Sequence, residues 1–189
     1  MADTLERRSF VECRAEADGR LIRGYGIVFD SLSEDLGGFK ERIMPSAVDR
    51  TLRDGLDVRA LIDHDSSKIL GRTRAGTLRL EKDRQGLKVT IEPPDTATAR
   101  DLMVSIKRGD ISGMSFAFRT PKGGDEWDME GDWPIRSVHD MTIREVSVVA
   151  FPAYADTQVA VRSLGEYRGH AWNPSVEFRE RRLRLSRCR

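Results

Sequence analysis

The chain has 189 residues, 33% charged and 39% hydrophobic, which suits one domain with a sizeable core. Its formal charge of +1 provides no basic field for nucleic acid and no acidic field for a basic partner. The two cysteines, Cys13 and Cys188, sit near opposite ends without paired spacing, which argues against a disulfide framework or a zinc site and fits a reducing compartment. Residues Met1 to Arg8 lack the apolar run of a secretory signal, and no stretch approaches the roughly 20 apolar residues of a membrane span. A soluble, cytoplasmic protein that is not secreted is expected.

The first structured part reads as a hairpin, Ser9 to Ala15 and Leu21 to Phe29, around the turn signal Asp18-Gly19. Gly24-Tyr25-Gly26 within the second strand points to a bulge or a close backbone approach. After a polar loop over 31–38 comes a short extended piece, Phe39 to Ile43. Pro45 to Leu52 then reads as a short helix starting at Pro45 or Ser46. Asp57 to Asp63 is an apolar strand that runs straight into His64-Asp65. A histidine at a strand end, where a loop begins, is well placed to act as a base, because imidazole titrates near neutrality. Of the other two histidines, His139 lies in a polar strand segment and His170 in the tail.

Thr77 to Glu81 and Leu87 to Ile91 alternate in polarity around Asp83-Arg84-Gln85-Gly86, the clearest hairpin of the chain. Asp95 or Thr96 caps a helix from Thr98 to Lys107 that buries Leu102, Met103 and Ile106, and Gly109 closes it. The chain then enters the strand Gly113-Met114-Ser115-Phe116-Ala117-Phe118. Side chains alternate across a strand, so Met114, Phe116 and Phe118 anchor one face in the core. Ser115 falls on the other face with Gly113 and Ala117, where small neighbours leave its hydroxyl approachable. Ser112, three residues earlier, lies on the opposite face with Met114 and Phe116, and its hydroxyl is the other one this stretch offers.

Thr120 to Trp133 reads as a long exposed hairpin loop whose tryptophans pack locally. Arg136 to Ala150 reads as one long strand, with Glu145 on the same face as Ile143, Ser147 and Val149. A carboxylate among apolar residues is costly to bury without a partner; the candidates are a nearby arginine and the imidazole of His64. From Gly165 the composition changes, and Glu177 to Arg189 is arginine-rich with Phe178, Leu183 and Leu185 spaced through it. The expected organisation is a domain over 1–163 and a basic tail over 164–189. There is no internal repeat, no phosphate-cradling glycine loop, no cluster with metal-ligand spacing, and no G-x-S-x-G elbow.

The segments Arg23-Gly24-Tyr25-Gly26, Ile43-Met44-Pro45-Ser46-Ala47-Val48 and Leu61-Ile62-Asp63-His64-Asp65 together resemble the prohead (capsid maturation) proteases of tailed bacteriophages. So do Arg108 to Phe116 and Glu145 to Ala153, in the family's order over roughly residues 20 to 162. The resemblance implies a serine endopeptidase distantly similar to herpesvirus assemblin: a mainly β (α+β) fold in which a closed β-barrel of about seven strands carries helices packed around it. It implies action inside the procapsid in the host cytoplasm, cutting scaffold protein or the scaffold-like region of the major capsid protein, and the enzyme itself. The basic tail would serve packaging or be removed by self-cleavage. No cofactor, metal, membrane or specific nucleic acid is implied, and the assemblin analogy suggests a homodimer.

Carried over by position, the resemblance makes Ser115 the nucleophile, His64 the general base and Glu145 the acid that orients it. Asp140 is the weaker candidate for the third position, and Asp65 is too near His64 in sequence to face its ring. Arg144 or a backbone N–H would stabilise the oxyanion. The alternative is a catalytically inactive, barrel-like structural or scaffolding component of the procapsid, which would have no reason to keep Ser115, His64 and Glu145 together.

Overall fold

The computed structural model describes residues 5–9 and 15–151. The tail over 164–189, both cysteines and His170 lie outside them. In chain order the elements are β1 (Glu6–Arg8), β2 (Ala15–Asp18), β3 (Leu21–Val28), β4 (Lys40–Ile43), a 3₁₀ turn (Pro45–Val48) and α1 (Asp49–Arg53). There follow β5 (Arg59–Ile62), β6 (Asp65–Arg72), a second 3₁₀ turn (Thr73–Ala75), β7 (Leu78–Lys82), β8 (Gly86–Ile91) and α2 (Ala97–Arg108). The last four are β9 (Gly113–Arg119), β10 (Asp125–Asp128), β11 (Ile135–Val138) and β12 (Thr142–Val149).

The strands form three separate open sheets in the orders β1-β9-β12-β5-β6, β10-β11-β4 and β2-β3-β8-β7. The described residues are mainly β with two helices, as expected, but the expected closed barrel of about seven strands is not present among them. Closure requires the two outermost strands of one sheet to pair; among the described residues each sheet instead keeps two edges. The alternation that identifies strands reports which face is buried and carries no information on which edges meet.

Local chemistry explains most of the elements. The β7–β8 turn is held by Asp83, whose carboxylate accepts from the Gln85 and Gly86 amides. Thr96 caps α2 by accepting from the Ala99 amide, Gly109 ends it at φ +81°, and Ala99, Leu102 and Ile106 face the core. At Gly26 the β3–β8 register slips, as the paired glycines suggested; a Cβ there would lie 2.9 Å from Val89 Cγ2. The core joins Met114, Phe116 and Phe118 of β9 and Val146 and Val148 of β12 to Ile22 and Ile27 of β3, Leu87, Val89 and Ile91 of β8, and α2.

Two readings of the C-terminal half are corrected. The expected single strand over 136–150 is two strands in different sheets. β11 runs parallel to β4, and β12 lies between β9 and β5. The chain crosses between them at residues 139–141, where the His139 and Asp140 amides donate to the Gly124 carbonyl and the Met141 amide to that of Ala47. The supposed loop over 120–133 contains β10, and Trp127 on it packs against Phe39 with ring centroids 4.9 Å apart.

Short β1 pairs with the edge of β9, and buried charge ties it to β4 and β11 of the three-stranded sheet. Arg8 Nε donates to Glu41 Oε1 (2.8 Å) and Arg8 Nη2 to Glu6 Oε2 (2.7 Å). Arg136 Nη1 donates to Glu6 Oε2 (2.6 Å) and Glu41 Oε2 (2.9 Å), and its Nε to Asp125 (2.7 Å). All four of Glu6, Arg8, Glu41 and Arg136 are buried. Burial pushes the Glu6 carboxyl up, but the guanidiniums of Arg136 and Arg8 outweigh it and hold it below its ordinary value.

Candidate active site

Three strands and one turn of the five-stranded sheet bring the site together. Ile62 pairs with Asp65, leaving Asp63 and His64 as a two-residue hairpin turn with φ of +47° and +59°. Both residues are left-handed, as a type I′ turn demands, and neither is glycine. Non-glycine residues in this conformation are uncommon and concentrate where surrounding structure holds them for function. The turn is tied to the end of β12, because the Asp63 amide donates to the Val148 carbonyl and Asp63 Oδ1 accepts from the Ala150 amide, both at 3.0 Å.

On β9 the faces divide as the alternation requires. Met114, Phe116 and Phe118 enter the core cluster, and Ser115 lies on the other face, completely buried. Its cross-strand neighbour on β12 is Ser147, and that of Ala117 is Glu145. The expectation that Ile143 shares the face of Glu145 is overturned by a bulge. Ile143 pairs with Phe118 and Glu145 with Ala117, so Arg144 is an extra residue with no partner in register. This one-residue insertion sends Ile143 into the core and turns Glu145 to the Ser115 face.

His64 connects the two strands. Its Nε2 lies 2.9 Å from Ser115 Oγ and its Nδ1 lies 2.5 Å from Glu145 Oε1. The second carboxylate oxygen, Glu145 Oε2, accepts from the Ser147 hydroxyl at 2.5 Å. Ser115 Oγ also lies within donating distance, 2.8 Å, of the Arg8 carbonyl. A hydroxyl has one hydrogen, so it serves either the Arg8 carbonyl or His64 Nε2. With Nδ1–H donated to Glu145, Nε2 is the acceptor and can draw the Ser115 proton.

The other candidates stand apart from this row. Asp140 pairs with Arg50, which holds its carboxyl below the ordinary range through the hydrogen bond. Asp65 accepts from the amide and hydroxyl of Ser67 and pairs with Lys68. Ser112 is exposed and precedes β9, and Arg144 is exposed on its bulge. Sequence reasoning missed Ser147 as a partner of Glu145 and the carbonyl of Arg8 as a partner of Ser115. The Glu-x-Ser spacing on a strand, which places both side chains on one face, was the available signal for the first; nothing in the sequence signals the second. No group of three His, Cys, Asp or Glu side chains suited to a metal occurs among the described residues. None of the described helices is long and apolar enough to cross a membrane.

A hydroxyl, an imidazole and a carboxylate in one hydrogen-bonded row have the geometry of serine hydrolases. The chain belongs to the caudovirus prohead serine proteases, whose family model matches residues 8–168. No curated protein and no solved structure was found to match it. It is thus a serine protease of bacteriophage capsid maturation by family.

Proposed function

We propose that the chain is an active endopeptidase in which Ser115 is the nucleophile, His64 the general base and Glu145 the residue that orients His64. The observation that carries this reading is His64 engaging Ser115 through Nε2 and Glu145 through Nδ1 at the same time. In the reaction, His64 Nε2 takes the Ser115 proton as Oγ attacks the peptide carbonyl. It then gives that proton to the leaving amine, and water repeats the sequence to free the acyl group. The Glu145 carboxylate fixes the tautomer and stabilises the imidazolium formed at each step. Ser115 is completely buried, and its hydroxyl lies within donating distance of the Arg8 carbonyl as well as of His64.

The substrates in this reading are scaffold protein or the scaffold-like region of the major capsid protein, cut inside the procapsid, and the protease itself; membership of the prohead serine proteases supports a capsid-related substrate. The basic tail over 164–189 is the segment used for packaging or removed by self-cleavage, and the working unit is a homodimer. Mass spectrometry of protein recovered with matured capsids should find the tail gone; an intact tail refutes its removal. Gel filtration with light scattering tests the dimer, which a monomer at micromolar concentration would refute. Treating the protein with an alkyl fluorophosphonate and mapping the adduct tests the nucleophile. The adduct should sit on Ser115, and an adduct on Ser112 or on no serine refutes the assignment.

A further inference from the structure

We infer that Ser147 is a positioning residue for catalysis, acting on His64 through Glu145; this rests on the reading of the site given above. A carboxylate has about four acceptor positions on two oxygens, and Glu145 is buried. Its Oε1 faces His64, so Oε2 would be a buried anionic oxygen without a donor, at a cost of the order of a lost charged hydrogen bond. Ser147, itself completely buried, supplies that donor at 2.5 Å, the short length of a charge-assisted O–H···O⁻ contact. The supply is built into the strand. Ser147 is two residues beyond Glu145 on β12, hence on the same face, and directly across from Ser115 on β9.

Holding Oε2 leaves the carboxylate one orientation, with Oε1 on His64 Nδ1. Without the Ser147 hydroxyl the carboxylate is free to rotate, and the imidazole loses the fixed acceptor that aims Nε2 at Ser115. The hydroxyl therefore sets the angle and polarity of a base that it does not touch.

The test uses the full chain as wild type, Ser147→Ala, Ser147→Cys and Ser115→Ala. One readout is the rate of covalent labelling by an alkyl fluorophosphonate. The other is the strongly deshielded NMR signal of the proton between His64 Nδ1 and Glu145, identified by its absence in His64→Ala. Ser147→Ala should label about 10- to 100-fold more slowly with its amide spectrum intact and the deshielded signal moved. Ser147→Cys, a weak donor of similar shape, should fall between it and wild type, and it carries the test if the alanine variant does not fold. Ser115→Ala should not label but should retain the signal. A folded Ser147 variant that labels within about twofold of wild type, with the signal unmoved, overturns the inference. Labelling of Ser115→Ala at the wild-type rate instead overturns the assignment of the nucleophile, and the proton signal still decides the role of Ser147.

Discussion

Replacing Glu41 by glutamine removes one charge from the most deeply buried ion cluster described, and the structure sets the expected cost. Glu41 is completely buried; it accepts from Arg8 Nε at 2.8 Å and Nη2 at 3.2 Å, and from Arg136 Nη1 at 2.9 Å. With Glu6 it balances the two guanidiniums, and Asp125 at the rim adds a further negative charge against Arg136. Glu41→Gln leaves the two arginines facing one buried carboxylate, and it turns one acceptor oxygen into an N–H₂ group pointed at guanidinium donors. Breaking a buried pair by removing one partner costs about 3–5 kcal/mol, a large share of the roughly 5–15 kcal/mol that holds a domain folded. At about 2–4 °C per kcal/mol for a chain of this size, the melting temperature should fall by about 6–20 °C. Thermal unfolding followed by circular dichroism measures this, with Glu126→Gln as the exposed control, expected within about 0.5 kcal/mol of wild type. A fall of less than about 1 kcal/mol for Glu41→Gln would show that the cluster is solvated, and the account of how β1 is fastened beside Ser115 would be wrong.

Three further outcomes follow from the same geometry. Glu145→Gln should fold normally and lose about 10³- to 10⁴-fold in turnover, because the amide can favour the wrong imidazole tautomer; a loss under about tenfold in a processing assay would remove Glu145 from the mechanism. Gly86→Ala should cost about 3 kcal/mol, near the top of the range for overpacking. Its Cβ would lie 2.0 Å from the Ile27 carbonyl oxygen, which is backbone and cannot rotate away; an unchanged melting temperature would refute that close approach. The folded-state pKa of Glu6 is below its ordinary 4.5, so its contribution to stability is present above the unfolded value and lost as pH falls through the folded one. Glu6→Gln should therefore flatten the loss of stability between about pH 6 and 3, and parallel wild-type and variant curves in a pH series of urea melts would contradict this.

The side-chain period of β9 was readable because Met114, Phe116 and Phe118 are large and their alternates small, so one face had to be core. The α2 caps and the β7–β8 turn were readable for the same local reason: Thr96, Gly109 and Asp83 satisfy backbone groups near them in sequence. His64 was visible as a histidine at a strand end, but its left-handed turn was not, since neither Asp63 nor His64 advertises a positive φ as glycine would. For Glu145 the sequence left arginine and histidine open as partners. The structure brings His64 to it by an extra residue at Arg144, and strict alternation cannot foresee a bulge. The arrangement of sheets was the least readable. Glu6-Arg7-Arg8 looks like a polar terminus until Glu41 and Arg136, far along the chain, are seen to bury it. Edge-to-edge closure, which would make a barrel, depends on such distant contacts.

Whether Ser115 performs the cleavage is decided by co-expression with the major capsid and scaffold proteins. Wild type, Ser115→Ala and Ser112→Ala are compared by the sizes of the products. Processing is expected with wild type and Ser112→Ala, and unprocessed procapsids with Ser115→Ala. Processing that persists in Ser115→Ala, or is lost only in Ser112→Ala, would contradict that role for Ser115.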